Sequence, residues 1–229
     1  MKTAGQLALP LGSTAPRRSR TGHDGKAHCA RPRHCHRHPV HVTLRRARCL
    51  PSLRAPIVFA ALRRGFTAAS RRWFRVVHFG VQDDHLHLLI EADDNLSLSR
   101  GMIGLTVRLA RACNRAFARQ GSVWSERFHA RALRTPREVR HCLVYVLMNR
   151  KKHAPSSVVR AELDPCSSAR WFMGWKHPPS SGPPHSHDVP PVVPPRTWLL
   201  GTGWQRHGLI AMHESPRLAT GVRMRARLR

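Results

Sequence analysis

The sequence predicts an α+β fold: a small antiparallel sheet with helices packed over one face, a basic N-terminal arm before it and a Pro-rich C-terminal extension after it. Three observations carry that prediction. Apolar and polar residues alternate over 40–45 and again over 85–91, the two-residue period of a strand. Apolar residues recur every three or four positions over 56–72, 96–119 and 136–152, the period of a helix with one buried stripe. The stretches follow one another as strand, helix, strand-turn-strand, helix, strand, helix, an order that suits a ferredoxin-like antiparallel sheet.

Residues 1–37 are rich in Arg, His, Pro and Gly with little apolar periodicity, and read as a flexible basic arm. His28, Cys29, His34, Cys35, His36 and His38 match no closed structural zinc spacing, so a solvated tail is the better reading. The folded domain is expected over 38–153. It opens with a strand whose Val40, Val42 and Leu44 face a core. Pro51 and Pro56 lead into a helix ending near Arg72, with Val58, Phe59, Leu62, Phe66 and Ala69 on its stripe. Residues 74–91 form two strands joined by a tight polar turn. On the second, Leu86, Leu88 and Ile90 point one way and His85, His87, Leu89 and Glu91 the other.

A second long helix, 96–119, buries Leu98, Met102, Leu105, Leu109, Ala112, Ala116 and Phe117. Arg108, Arg111, Arg115 and Arg119 recur on a different face, a basic ridge suited to tracking a phosphate backbone; an ordinary solvated face is the competing reading. After Gly121 come a turn and a strand in which Arg127, Phe128, His129 and Arg131 either grip nucleic acid or are structural. Thr135 as N-cap, Pro136 at the first helical position and Glu138 closing a capping box start the third helix, which runs to near Lys152 over a Val139, Cys142, Leu143 and Val146 stripe. Tyr145 lies roughly 200° around that helix from Leu143, at 100° per residue, and shares its face with His141 and Asn149. Beyond the domain, 154–175 extend it and 176–195 form a Pro-, Ser- and His-rich linker of extended character. Residues 196–229 combine an apolar-aromatic docking segment with a basic tail.

The net charge is +28, with only 12 acidic residues against 40 basic ones, of which 35 are Arg. A GC-rich genome inflates arginine, but codon bias does not remove carboxylates. Nucleic acid is therefore the expected partner, ahead of an anionic membrane surface, because phosphates release counterions to such a chain. No apolar run is long enough to cross a bilayer, and the N-terminal apolar stretch is too short for a signal peptide. Six cysteines without a C-x-x-C pair predict reduced thiols and a cytoplasmic protein, and a nucleic-acid partner makes it a nucleoid-associated one.

Two imidazoles two residues apart on one strand face lie close enough to hold one divalent cation, although strands often carry histidines without a metal. What sharpens the reading is the company they keep. His85-Leu86-His87, the segment from Gly121 through Val123-Trp124 to Arg127-Phe128-His129, and Tyr145-Val146-Leu147-Met148-Asn149 stand in the order found in HUH single-tyrosine transposases. Over residues 38–153 the chain resembles that superfamily, and within it the REP-associated tyrosine transposase branch and its insertion-sequence relatives. The resemblance implies Tyr145 as nucleophile and His85, His87 and Asn149 as ligands of Mg²⁺ or Mn²⁺. It also implies a single-stranded or hairpin DNA substrate and a possible homodimer. Asn149 is followed by Arg150 where the family often has proline, which leaves the helix end open but keeps the ligand position.

Tyr145 is the chain's single tyrosine, and it falls at the motif position. Glu91, His41 and His141 are weaker site candidates, Glu91 being also readable as a surface carboxylate. A histidine-triad nucleotide hydrolase or transferase is the rival enzyme class, but it wants a third alternating histidine where Leu89 stands. A domesticated, non-catalytic DNA- or RNA-binding protein is the rival outside enzymes.

Overall fold

The computed structural model describes residues 33–152, 163–179, 189–214 and 216. Most of the basic arm, with His28 and Cys29, the middle of the Pro-rich stretch and the basic tail lie outside these residues. Four strands, β1 (Val40–Arg45), β2 (Phe74–Val81), β3 (His85–Ala92) and β4 (His129–Ala132), form one sheet in the order β2-β3-β1-β4, every neighbouring pair antiparallel. Helix α1 (Pro56–Ala69) joins β1 to β2, and α2 (Asn95–Ala116) joins β3 to β4.

The strand alternation builds the first core. Val40, Val42 and Leu44 of β1 and Leu86, Leu88 and Ile90 of β3 lie on one face, packed under Leu62 and Phe66 of α1 and Met102, Leu105 and Leu109 of α2. Phe66 stacks on Phe79 of β2 at 4.6 Å between ring centroids, a pair worth about 1 kcal/mol beyond its buried area. Each helix begins where the sequence supplies a start. Pro56 opens α1, and the Asp94 carboxylate accepts from the Ser97 N–H at 2.7 Å to cap α2.

The third helix, α3 (Pro136–Met148), has the expected capping box, with Thr135 accepting from the Glu138 N–H at 3.2 Å. The α+β class and the antiparallel sheet are as expected; the distribution of helices is fuller. Only α1 and α2 share a face. Helix α3 lies on the opposite one, where Val139, Leu143, Val146 and Leu147 pack with Leu89 and Val77. Two local features make room for it. A β-bulge between Val76 and His78 puts two successive residues, Val77 and His78, on the α3 side, with Val76 and Phe79 in the α1–α2 core. Gly80 is the other: a Cβ there would stand 2.3 Å from the Val146 carbonyl oxygen, so only glycine lets the helix backbone rest on β2.

Residues C-terminal to α3 close over it. Leu199 and Leu200 of the short α4 (Trp198–Gly201), Trp204 and Ile210 are buried against the helix. The Arg140 guanidinium binds both Glu214 oxygens at 2.8 Å and the Gly208 carbonyl at 2.8 Å. At the near end the stretch read as linker is tied to the sheet, the Val193 N–H donating to Val76 O at 3.1 Å. Arg54 and Asp164, paired at 2.6 and 2.8 Å, anchor the intervening segment. Among the described residues five cysteines are free thiols, and no helix is long and apolar enough to cross a membrane.

Candidate active site

On the α3 side of the sheet, antiparallel register sets Thr43 opposite His87 and Arg45 opposite His85, so the polar row of β1 runs beside the histidine row of β3. His85 Nε2 and His87 Nε2 stand 2.8 Å apart. Their other ring nitrogens are also engaged. Asp84 Oδ1 is 2.5 Å from His85 Nδ1, while His41 Nε2 and Thr43 Oγ1 lie 3.2 and 3.3 Å from His87 Nδ1.

Helix α3 carries Tyr145 to this pair. Gly80 is the cross-strand partner of His87 and shares its face, and the α3 backbone at Val146 rests on it. The residue before Val146 therefore lands over His87. The Tyr145 ring centroid is 4.7 Å from that of His87 at 69°, and 5.9 Å from that of His41 at 78°. All of these side chains belong to one chain. Burial, with a smaller contribution from Cys142, raises the phenol above its ordinary value. Burial, reinforced by Arg131 and then His129, lowers His41 to about 4 and keeps it neutral at physiological pH.

One helical turn beyond Tyr145 on the same face, Asn149 is only 2% exposed, and neither its amide oxygen nor its amide nitrogen has a hydrogen-bond partner. A buried, unpartnered amide costs about 1–3 kcal/mol and asks for a ligand. The histidine pair has the spacing of two ligands to one ion. Two donors at right angles, each about 2.1 Å from one ion, lie about 3.0 Å apart, close to the observed separation of the two nitrogens. The two imidazoles thus have the spacing of ligands to one divalent cation, and the unpartnered Asn149 amide oxygen is a donor of a type that could serve with them. Among the described residues no group of three or more His, Cys, Asp or Glu is gathered for a metal.

Other candidates fall elsewhere. Glu91 is neither an exposed carboxylate nor beside the histidine nitrogens. It is 4% exposed and accepts from the Arg196 N–H at 2.8 Å, the Thr197 N–H at 2.9 Å and the Thr197 hydroxyl at 2.8 Å, anchoring the C-terminal segment. Arg108, Arg111 and Arg115 are exposed on α2, across the sheet from the histidines. Arg119 lies past the end of α2, and its guanidinium donates to the Ser122 carbonyl at 3.1 Å, closing the following loop. Phe128 packs against the α1–α2 core instead of offering a stacking face. Arg127 is exposed, and Arg131 lies on the histidine side of β4, paired with Glu138 at 2.6 Å. Asp84, Thr43 and Gly80 escape a reading by motif; the signals that find them are a carboxylate next to a ligand, the polar period of β1 and a glycine inside a strand.

A family model described as "Transposase IS200 like" matches residues 33–149, which hold His85, His87, Tyr145 and Asn149. The chain belongs to the IS200-like transposase family. This places the transposase in the HUH tyrosine-transposase superfamily, and DNA is the substrate class of its family. Among solved structures, one described as "Structure of the REP associates tyrosine transposase bound to a REP hairpin" is similar to it at 20% identity, with a TM-score of 0.49, covering 61% of this chain and 81% of that one. No curated protein matches the transposase.

Proposed function

We propose that this transposase cleaves and rejoins single-stranded DNA through a covalent 5′-phosphotyrosine on Tyr145. The observation that carries the reading is the meeting of the chain's single tyrosine with His87, ring to ring at 4.7 Å, beside two imidazole nitrogens that converge on one point. Tyr145 Oη attacks the scissile phosphorus, the P–O3′ bond breaks as the Oη–P bond forms, and the phenol loses its proton while the leaving 3′-oxygen gains one. The phosphotyrosine conserves the bond energy, so a 3′-hydroxyl from another strand reverses the step and joins DNA without ATP.

His85, His87 and Asn149 are the residues that would hold Mg²⁺ or Mn²⁺. A bound divalent ion would polarise the scissile phosphate and offset the charge that builds on its oxygens. The chain's own share is orientation and environment. Gly80 and the α3 core hold the phenol over His87, and burial, which raises its pKa, leaves attack dependent on help from the site. Because the three ligands and the nucleophile come from one chain, the reading does not need a homodimer to complete the site.

The test is incubation of the full-length chain with labelled single-stranded hairpin DNA and Mn²⁺. A covalent protein–DNA adduct is expected, absent in Tyr145→Phe, and absent in His87→Ala although DNA is still bound. An adduct that persists in the Phe variant removes Tyr145 from the mechanism. DNA binding without any adduct favours the rival reading of a non-catalytic binding protein.

A further inference from the structure

The register of β1 on β3 gives each histidine a side chain from the neighbouring strand, and the residue preceding His85 completes the arrangement. Asp84 uses both oxygens: Oδ1 lies 2.5 Å from His85 Nδ1, and Oδ2 accepts from Arg45 Nη1 at 3.0 Å. An ionised carboxylate can only accept, so its contact with His85 requires the imidazole proton to sit on Nδ1. In the neutral ring that a cation ligand requires, His85 Nε2 is then a lone pair, and it lies only 2.8 Å from His87 Nε2. Two lone pairs cannot face each other at that distance; a proton or a cation has to lie between them.

The His87 side is built differently. Its Nδ1 faces the Thr43 hydroxyl at 3.3 Å and His41 Nε2 at 3.2 Å. With both rings neutral, His85 protonated on Nδ1 and no cation, the proton between the two Nε2 atoms belongs to His87, and its Nδ1 then accepts from Thr43 or His41. With a cation between the two Nε2 atoms, that proton has to move to Nδ1, where the same partners take it as acceptors. A hydroxyl serves in both roles, whereas a carboxylate serves in one.

We propose that Asp84, held by Arg45, is a positioning residue that locks His85 as the Nδ1–H tautomer and leaves its Nε2 lone pair for the cation, making it the fixed half of the cation site. The proposal rests on the cation-site reading above. Arg45 and Asp84 are about half exposed, 52% and 46%, so their ion pair adds little to stability and its part is to orient the carboxylate. Partners of this kind typically change metal affinity 10- to 100-fold, by fixing the ring and its tautomer.

The experiment titrates the full-length chain carrying Tyr145→Phe with Mn²⁺ alone, following free Mn²⁺ by electron paramagnetic resonance. The histidine tautomers of the metal-free chain are read by ¹⁵N nuclear magnetic resonance. His85 is expected as the Nδ1–H form. Adding Asp84→Ala should weaken Mn²⁺ binding about 10- to 100-fold and move His85 towards the Nε2–H form, at an unchanged melting temperature. Asp84→Asn, whose amide oxygen still accepts, should recover most of the affinity. Mn²⁺ binding by Asp84→Ala equal to that of its parent, or an Nε2–H His85 in the parent, overturns the proposal. The two readings fail separately. Mn²⁺ that is held and then lost with Asp84, in a chain whose Tyr145 forms no adduct, sinks the phosphotyrosine alone; an adduct with no effect of Asp84 on Mn²⁺ sinks this one alone.

Discussion

Asn149 states the conflict between stability and function most plainly. Its amide is buried at the end of α3 with both polar atoms unpartnered, a burden on the order of 1–3 kcal/mol that an apolar side chain of similar volume would not carry. Asn149→Leu is therefore predicted to raise the melting temperature of the metal-free transposase by a few degrees while abolishing the further stabilisation by Mn²⁺. Thermal denaturation with and without Mn²⁺ checks both halves, and a variant that melts lower and still responds to Mn²⁺ counts against Asn149 as a ligand. His78, a different buried imidazole, lies on the same side of the sheet with Nδ1 3.1 Å from the Ser168 hydroxyl, and burial lowers it to about 4. The folded value lies below the ordinary 6.5, so the unfolded chain takes up the proton first. His78 thus costs nothing above about pH 6.5, and stability is lost as pH falls from there towards 4, by on the order of 3 kcal/mol in all. His78→Phe should flatten that part of the pH–stability curve measured by urea denaturation; an unchanged slope would mean that His78 is protonated in the fold.

The elements show why some parts of the site are legible in the sequence and others are not. Thr135, Pro136 and Glu138 announce the start of α3 by local chemistry, and the angular offset of Tyr145 from Leu143 follows from helix geometry alone, so the helix, its register and its outward face are all readable. Where that helix docks is not. Its seat on the histidine face depends on Gly80 and on the Val76–His78 bulge, two features of a neighbouring strand that matter only once Val146 is overhead. The same holds for Glu91, whose partners Arg196 and Thr197 are more than a hundred residues away in sequence. Gly80→Ala tests the seat. Its methyl would meet the Val146 carbonyl at 2.3 Å, so α3 has to lift, at a cost of about 1–3 kcal/mol. The variant is predicted to melt several degrees lower and to lose adduct formation more than tenfold at saturating DNA, because Tyr145 moves off His87. Full adduct yield in a destabilised Gly80→Ala chain would show that the helix need not rest there.

At the scale of the molecule the α2 basic ridge and the chemistry lie on different sides of the sheet. The sheet separates the basic ridge of Arg108, Arg111 and Arg115 from the histidine pair, while Arg127 precedes β4 and Arg131, within it, sits on the histidine side. The composition makes a polyanion partner legible, but it cannot say which face the polyanion follows, since ridge periodicity is the same on either side of a sheet. If DNA also tracks α2, converting Arg108, Arg111 and Arg115 to Ser should lower the salt dependence of single-stranded DNA binding by about 2 in log–log slope. Adduct yield at saturating DNA should stay the same. An unchanged slope, read from fluorescence anisotropy across a salt series, would make the ridge an ordinary solvated face. The sheet, by contrast, is predictable from alternation and order alone, because β1, β3 and the first two helices interact through apolar residues whose spacing is written locally. What closes over α3 is not, because the C-terminal segment reaches it through Trp204 and the Arg140–Glu214 pair across a long stretch of chain.

Tyr145 acting as nucleophile beside His85 and His87 is the central proposal, and the most direct measurement is to digest the adduct formed with Mn²⁺ and single-stranded hairpin DNA and locate the modification by mass spectrometry. A 5′-phosphodeoxynucleotide on the peptide that contains Tyr145 is the predicted result. A nucleotide found on any other residue, or DNA cut with no covalent protein product, would contradict it.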